Sequence, residues 1–127
     1  EYTEAVDLWS LGVMLYAMLT GCLPFEAPSD QELENLILAG SFDMTNYAWK
    51  QLSEEAKELI KGLLQTNFKK RLTLFEAIAH PWIQHNLPPE TRESGSKHFL
   101  EEICSPLRLR EKEKRTKMER HSFVSSQ

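Results

Sequence analysis

The hydrophobic pattern of the chain is strongest near its start, in the stretch EAVDLWSLGVMLYAML over residues 4–19. Apolar residues fall on every side of the helix that this stretch would form, so no polar stripe remains. A helix of a soluble protein that is apolar all round has to be buried centrally. We therefore predict a central helix over residues 4–19, covered either by the other helices of the chain or by polypeptide outside it.

Three more helices are predicted from their N-terminal caps, because a Ser or Thr side chain can accept a hydrogen bond from a first-turn amide. Ser29 with Glu32, and Thr73 with Glu76, have the spacing of a capping box, and Ser53 precedes two glutamates. The predicted helices cover residues 30–39, 54–65 and 73–79.

The ends of these helices are predicted from glycine and proline. Gly21 is suited to the left-handed conformation that ends a helix, and Pro81 stops the last helix because it lacks an amide proton. Residues 41–52 have no clean period and are predicted to form a loop. No segment carries hairpin turns at strand spacing, so the expected fold class is all-α.

Beyond Asn86 the composition changes to a charged, linker-like segment. Prolines, serines and a glycine are concentrated in residues 88–96, and residues 106–120 carry seven basic and three acidic side chains. We therefore divide the chain into a helical domain, residues 1–86, and a charged linker and tail, residues 87–127. The tail is expected to be partly helical or disordered.

Charge and cysteine content exclude several classes of function. Residues 1–86 carry six basic against twelve acidic side chains, whereas a nucleic-acid binder needs a basic face. Cys22, expected to be packed, and Cys104 form neither a disulfide framework nor a metal-ligand pattern. The apolar run is too short to span a bilayer and no targeting segment is visible. We expect a protein of the cytoplasm or nucleus without nucleic-acid or membrane partners.

Four short motifs resemble those of the eukaryotic protein kinase family, in family order and with family spacing. They are Asp7-Leu8-Trp9-Ser10-Leu11-Gly12-Val13 for D-x-W-S-x-G-V, Gly21-Cys22-Leu23-Pro24-Phe25 for G-x-x-P-F, Arg71 in the D-P-x-x-R segment, and His80-Pro81-Trp82-Ile83 for H-P-W-[IL]. The resemblance covers about residues 1–86 and implies the C-terminal helical subdomain of the large lobe in a two-lobed α+β kinase.

A subgroup is indicated by the stretch from Trp49 to Ile60. It resembles the W-x-x-(I/V)-S-x-x-A-K-x-L-I sequence of calcium/calmodulin-dependent-type kinases. The resemblance implies that the full-length parent transfers phosphate from ATP, with magnesium, to Ser and Thr of protein substrates.

The motifs that carry phosphoryl transfer do not occur in this sequence: there is no G-x-G-x-x-G, no H-R-D and no D-F-G. We therefore predict no catalytic, cofactor-binding or metal-binding residue here and expect the chain alone to be inactive. The leading hypothesis is one part of an active Ser/Thr kinase. The alternatives are a non-catalytic kinase-like scaffold or docking module and an unrelated helical interaction domain.

Two charged residues are assigned supporting roles by the resemblance. Asp7 would accept hydrogen bonds from the backbone of the catalytic loop; the alternative is a surface carboxylate favoured by the helix dipole. Arg71 would form a bidentate pair with the Glu of the A-P-E motif; the alternative is an exposed arginine. Family spacing places that Glu upstream of Glu1, so we expect Arg71 to lack its partner in this chain.

The remaining candidate residues are expected to be structural. Trp9 and Trp82 should fill core space, and Gly12 belongs to the signature of the central helix. His80 is predicted to stabilise the last carbonyls of the helix that precedes Pro81.

Two departures from the family pattern change the picture. Asn67-Phe68 replaces the family's D-P, so this loop is expected to differ in shape. Ala17 occupies the position where another kinase group carries a Glu that binds substrate arginine. This segment therefore gives no support for a requirement for arginine close to the phosphorylated residue of the substrate. Residues 26–40 match a docking region of many kinases, or else form a solvated helix face.

The tail leaves two interpretations open. Residues 97–120 occupy the place of the autoinhibitory and calmodulin-binding sequences of this kinase group. Apolar anchors on one face of a helix would fit a calmodulin contact. Glutamates interrupt these anchors, and this favours the alternative of a solvated or disordered tail. The candidate anchors are Phe99, Ile103, Leu107 and Leu109. Expected partners are protein substrates and the upstream segments of the kinase domain.

Overall fold

Six α-helices make up the part of the chain that the computed structural model describes, residues 2–89, with side chains from Glu4 onward. The helices are α1 (Tyr2–Thr20), α2 (Asp30–Ala39), α3 (Tyr47–Gln51), α4 (Glu54–Leu63), α5 (Leu74–Ala79) and α6 (Pro81–Asn86). Residues 2–89 contain no strand, and the all-α fold class is confirmed. The chain divides into two units, Glu1–Asn86 and Leu87–Gln127. The calmodulin or autoinhibitory contact expected in residues 97–120 lies outside the described residues.

Side-chain caps start α2, α4 and α5 at the predicted positions. Ser29, Ser53 and Thr73 each accept a hydrogen bond from the amide three residues on, at 3.3, 3.2 and 3.3 Å. The capping box of α5 is complete, because Glu76 Oε2 accepts a bond from the Thr73 amide at 2.8 Å. This bond and that of the Thr73 hydroxyl hold the pKa of Glu76 below its ordinary value. Local sequence thus determines where these helices begin.

Two short helices were missed by the sequence patterns. The prediction of a loop over residues 41–52 is wrong for α3, whose first turn is capped by Asn46 through a 2.8 Å bond from the Trp49 amide. Pro81 ends α5 as expected, but it also begins α6. A proline suits the first helical position because its fixed φ fits the helix and no amide is needed there.

The core lies where α1 packs on α3 and α4. Tyr16 and Ile60 are each 0% exposed, and they share one cluster with the aromatic rings of Phe25, Phe42 and Trp49. A second cluster contains Leu8, Leu59, Leu63 and Ala77, with Trp82 packed against it. The amphipathic face of α4 therefore serves both clusters at once and joins α1 to the C-terminal helices.

One face of α1 stays uncovered within the described residues. Asp7 is exposed, and Leu11, Met14 and Met18 are 39%, 54% and 71% exposed. Spacings of four, three and four residues place these side chains on one side of the helix. We call them the uncovered face of α1. The alternative that the chain's own helices would bury α1 all round is therefore wrong for the described part. None of the described helices has the length and hydropathy needed to cross a membrane.

Candidate functional site

The Arg71 guanidinium joins the first turns of α1 to the end of α4. Its Nε donates to the Gln65 carbonyl at 2.9 Å and its Nη2 to the Thr66 carbonyl at 3.4 Å. Its Nη1 donates to the carbonyl of Ala5 in α1. Arg71 is therefore not left without hydrogen-bond partners in this chain, because backbone carbonyls accept from it. Its pairing with the A-P-E glutamate stays a prediction.

Trp9 connects Arg71 to the G-x-x-P-F motif. The guanidinium carbon lies 5.1 Å from the centroid of the Trp9 ring, a cation–π distance. The same indole stacks on Phe25, with centroids 5.6 Å apart and planes inclined by 15°. Three of the four sequence motifs therefore meet at one place, which we call the Arg71 cluster, made of Trp9, Phe25 and Arg71.

Asp7 lies in α1 two residues before Trp9. Its side chain is exposed, and no hydrogen bond to its carboxylate occurs among the described residues. The carboxylate is therefore available at the end of the uncovered face nearest to the Arg71 cluster. Gly12, one turn further along, is buried where α1 meets α4, with Leu63 and Leu64 directly against it.

His80 and Trp82 lie apart from the Arg71 cluster, at the corner between α5 and α6. The His80 Nδ1 accepts a 3.2 Å hydrogen bond from the Trp82 amide. The prediction that this side chain stabilises the last carbonyls of α5 is wrong. Its ring instead caps the start of α6, because Pro81 begins a new helix whose first amides need an acceptor. Trp82 packs against the second cluster, as a core residue would.

The loop that departs from the family's D-P is held by its first residue. Asn67 Oδ1 accepts a bond from the Lys69 amide at 3.0 Å. The Asn67 carbonyl accepts from the Lys70 and Arg71 amides at 2.9 and 3.0 Å. The side-chain and main-chain oxygens of Asn67 thus fold the chain into a tight turn, and this turn places Arg71 next to its carbonyl partners.

A buried hydroxyl network was missed by the sequence interpretation. The Tyr16 hydroxyl donates to the Asp43 carbonyl at 2.7 Å and accepts from Asn46 Nδ2 at 2.6 Å. Burial raises the pKa of Tyr16 above its usual value. The Asp43 carboxylate accepts from the Thr45 hydroxyl and amide, each at 2.7 Å, and the bond from the hydroxyl chiefly lowers its pKa. The network fixes the loop before α3 on α1.

Acid should weaken this loop. The pKa of Asp43 is lowered from 3.8 in the folded chain. A lowered pKa contributes stability that is present above the unfolded pKa and is lost as the pH falls through the folded one. We expect the urea midpoint of unfolding to fall between about pH 5 and about pH 2, and to fall less in the Asp43→Asn variant. Equal pH slopes for both proteins would contradict this, since Glu54 and Glu76, whose pKa values are also lowered, remain in each.

Cysteine and metal chemistry gain no support from the described part. Cys22 is exposed, so the prediction that it is packed is wrong. It follows the left-handed Gly21, which turns the chain outward at the end of α1. Residues 2–89 contain no group of three His, Cys, Asp or Glu side chains that could hold a metal ion.

The chain belongs to the protein kinase domain family, whose model matches residues 1–83. It is similar to a calcium and calcium/calmodulin-dependent serine/threonine-protein kinase of Lilium longiflorum, with 45% identity over 83 residues. It is also similar to calcium-dependent protein kinase 25 of Arabidopsis thaliana, with 42% identity over 84 residues. These matches cover 65% and 66% of this chain but only 16% of each relative.

Solved kinase structures resemble the fold. The structure of the Rad53 kinase domain and SCD2 in complex with AMPPNP matches with a TM-score of 0.63 and 37% identity, over 76% of this chain and 38% of that one. A structure of Rad53 1-466 in complex with AMP-PNP matches with a TM-score of 0.62 over 65% of this chain and 22% of that one. The resemblance to Ser/Thr kinases, including calcium- and calmodulin-dependent ones, is confirmed.

Proposed function

We propose that the full-length protein containing this chain is a Ser/Thr protein kinase, and that this chain is the supporting base of its large lobe. The observation that carries the proposal is the Arg71 cluster beside the exposed Asp7. Residues of three kinase motifs, far apart in sequence, meet there in positions suited to holding other segments rather than to chemistry. The chain spans 16% of the length of its curated relatives, so the catalytic parts would come from the rest of the protein.

In this proposal Asp7 is a positioning residue. A carboxylate near the start of α1 can accept backbone N–H bonds from the catalytic loop, and such charge-assisted bonds hold a loop in one shape. Arg71 would hold the end of the activation segment through the A-P-E glutamate. The uncovered face of α1 supports the same arrangement, because Leu11, Met14 and Met18 would be covered by upstream parts of the large lobe.

The full-length protein is expected to transfer the γ-phosphoryl group of ATP to protein serine or threonine, and Asp7→Asn is expected to lower kcat at least about tenfold. Losing one charge-assisted bond costs about 1.5–3 kcal/mol, and each 1.36 kcal/mol is tenfold in rate. Radiolabelled ATP and a generic protein substrate give the rates. Asp30→Asn, the same change at another exposed aspartate in the first turn of α2, is the matched control and should leave kcat unchanged.

Two outcomes separate the parts of this proposal. A full-length protein without any phosphoryl transfer would contradict the kinase activity itself. An active protein in which Asp7→Asn and Asp30→Asn have equal kcat would contradict only the positioning role of Asp7.

The 127-residue chain alone is proposed to bind neither ATP nor magnesium usefully, since no phosphate-binding motif occurs in its sequence. Isothermal titration of the chain with ATP and magnesium should give no heat of binding, whereas a micromolar dissociation constant would contradict the proposal. We further propose that the full-length protein is located in the cytoplasm or nucleus. Its partners would be protein substrates, and this chain would contact the upstream segments of the kinase domain. Calmodulin binding through residues 97–120 stays a prediction that a titration with calmodulin and calcium can check.

A further inference from the structure

Two of the six basic side chains of residues 1–86 are adjacent in one short loop, residues 67–70, which we call the NFKK loop. Lys69 and Lys70 are both exposed, and Phe68 before them is 46% exposed. Residues 1–86 as a whole carry twice as many acidic as basic side chains. The loop is therefore a local basic patch with an aromatic ring, on a domain of opposite charge.

The lysines of the NFKK loop differ from those of α4 in their surroundings. Lys57 forms an ion pair with Glu54 at 2.9 Å, and Lys61 also acts electrostatically on Glu54. For Lys69 and Lys70, no carboxylate lies within ion-pair distance among residues 2–89. Their charge is thus not neutralised by a neighbour within the described part of the chain.

The backbone of the loop is held in one shape on both sides. Three hydrogen bonds to Asn67 close the turn, as described above. On the other side, Arg71 is fixed by its carbonyl partners, and the Leu72 amide donates to the Gly62 carbonyl at 3.1 Å. A preformed loop presents its side chains without the ordering cost that a flexible loop meets on binding.

We propose that the NFKK loop is a docking site for an acidic peptide segment of a partner protein, with Lys69 and Lys70 pairing with carboxylates and Phe68 contacting an adjacent apolar residue. Charge complementarity favours this occupant, because an acidic segment is repelled by the rest of the domain and attracted here. Aromatic residues are enriched in such interfaces. The inference does not depend on the proposed kinase activity.

Other anionic occupants fit less well. Bidentate recognition of phosphate is typical of arginine, and the basic residues of the NFKK loop, residues 67–70, are both lysines. A nucleic acid would bring phosphates against the acidic remainder of the domain, which opposes binding. Two lysines on separate flexible stems suit two separate carboxylates of an extended acidic segment.

The test uses the complete 127-residue chain and a fluorescein-labelled peptide of alternating glutamates and leucines, followed by fluorescence anisotropy. Reversing both charges with Lys69→Glu and Lys70→Glu should weaken binding about tenfold. The matched control, Lys50→Glu with Lys61→Glu, makes the same change in net charge at exposed positions elsewhere and should change affinity less than about twofold. Phe68→Ala should weaken binding without altering charge.

Several results would overturn the proposal. These are the absence of binding at low ionic strength, equal losses in the two lysine pairs, or binding that does not weaken as salt shortens the Debye length. If replacing Glu101 and Glu102 by glutamine raises affinity clearly more than replacing Glu111 and Glu113 by glutamine, the chain's own tail is the occupant, and this would also overturn the proposal. A last such result is a matched phosphoserine peptide that binds more tightly than the glutamate peptide and loses affinity equally in both lysine pairs. That result would show non-specific charge attraction and would also overturn the proposal.

Discussion

Replacing Arg71 by methionine is expected to destabilise the chain by about 3 kcal/mol. Methionine keeps an apolar stem of similar reach but removes every donor of the guanidinium. The carbonyls of Gln65 and Thr66, just beyond the end of α4, would lose their side-chain donors. The link to Ala5 of α1 and the cation–π contact with Trp9 would be lost as well. Hydrogen bonds from a charged donor contribute about 1.5–3 kcal/mol, and the cation–π contact about 0.5–1.

Urea unfolding of the 127-residue chain measures this effect, with Lys70→Met as the control. Lys70 precedes Arg71 in the same loop but is exposed, so its replacement should change the free energy of unfolding by less than about 0.5 kcal/mol. The conservative variant Arg71→Lys should lose most of the stabilisation that Arg71 contributes, because an ammonium cannot reach carbonyls on two elements at once. Equal stabilities for the Arg71→Met and Lys70→Met chains would refute the role.

The result also separates two functions of Arg71. In the kinase resemblance its importance comes from pairing with the A-P-E glutamate, so a chain without that motif should be indifferent to the substitution. The hydrogen bonds to α1 and to the end of α4 indicate instead that Arg71 first builds the base of the lobe. Anchoring of the activation segment would then rest on an arginine that its own domain has already oriented.

Much of the helical arrangement could be predicted because the signals for it are local. A cap and the amide that it binds are three residues apart, so Ser29, Ser53 and Thr73 are visible in the sequence itself. Gly21, at φ 72°, likewise shows its left-handed turn through residue type. The short α3 and α6 were missed because five or six residues hold too little of a helical period to stand out.

The candidate site was less predictable because its contacts join distant residues. Sixty-six residues separate Arg71 from Ala5, and 27 separate Tyr16 from the carbonyl that its hydroxyl binds. In the sequence, Tyr16 was counted only as one of the apolar residues of α1, because no local pattern indicates that its hydroxyl has a partner in a later loop. His80 was correctly placed at the end of α5, where it is the C-cap, but its acceptor role depends on Pro81 beginning another helix.

Gly12→Ala is expected to destabilise the chain by about 2 kcal/mol, although alanine is favoured over glycine in a helix by about 1 kcal/mol. A Cβ atom at Gly12 would lie 2.8 Å from the Cβ of Leu63 and 3.0 Å from Cδ2 of Leu64. The Leu63 Cβ is attached directly to the backbone of α4, so no side-chain rotation can relieve the contact. The two helices would have to separate, which loosens both core clusters, since α4 contributes to each.

A second glycine provides the matched comparison, because it tests the same chemical change against a different neighbour. A Cβ atom at Gly62 of α4 would lie 2.5 Å from Cδ1 and 2.7 Å from Cγ of Leu72, both atoms of a flexible side chain. Rotation about the Cα–Cβ bond of Leu72 can move both atoms, whereas no rotation moves the Leu63 Cβ, so Gly62→Ala should cost less than Gly12→Ala in urea unfolding. Equal costs, or a more stable Gly12→Ala chain, would show that α1 and α4 are not held in close contact. The base of the lobe would then not depend on the backbone approach that Gly12 permits.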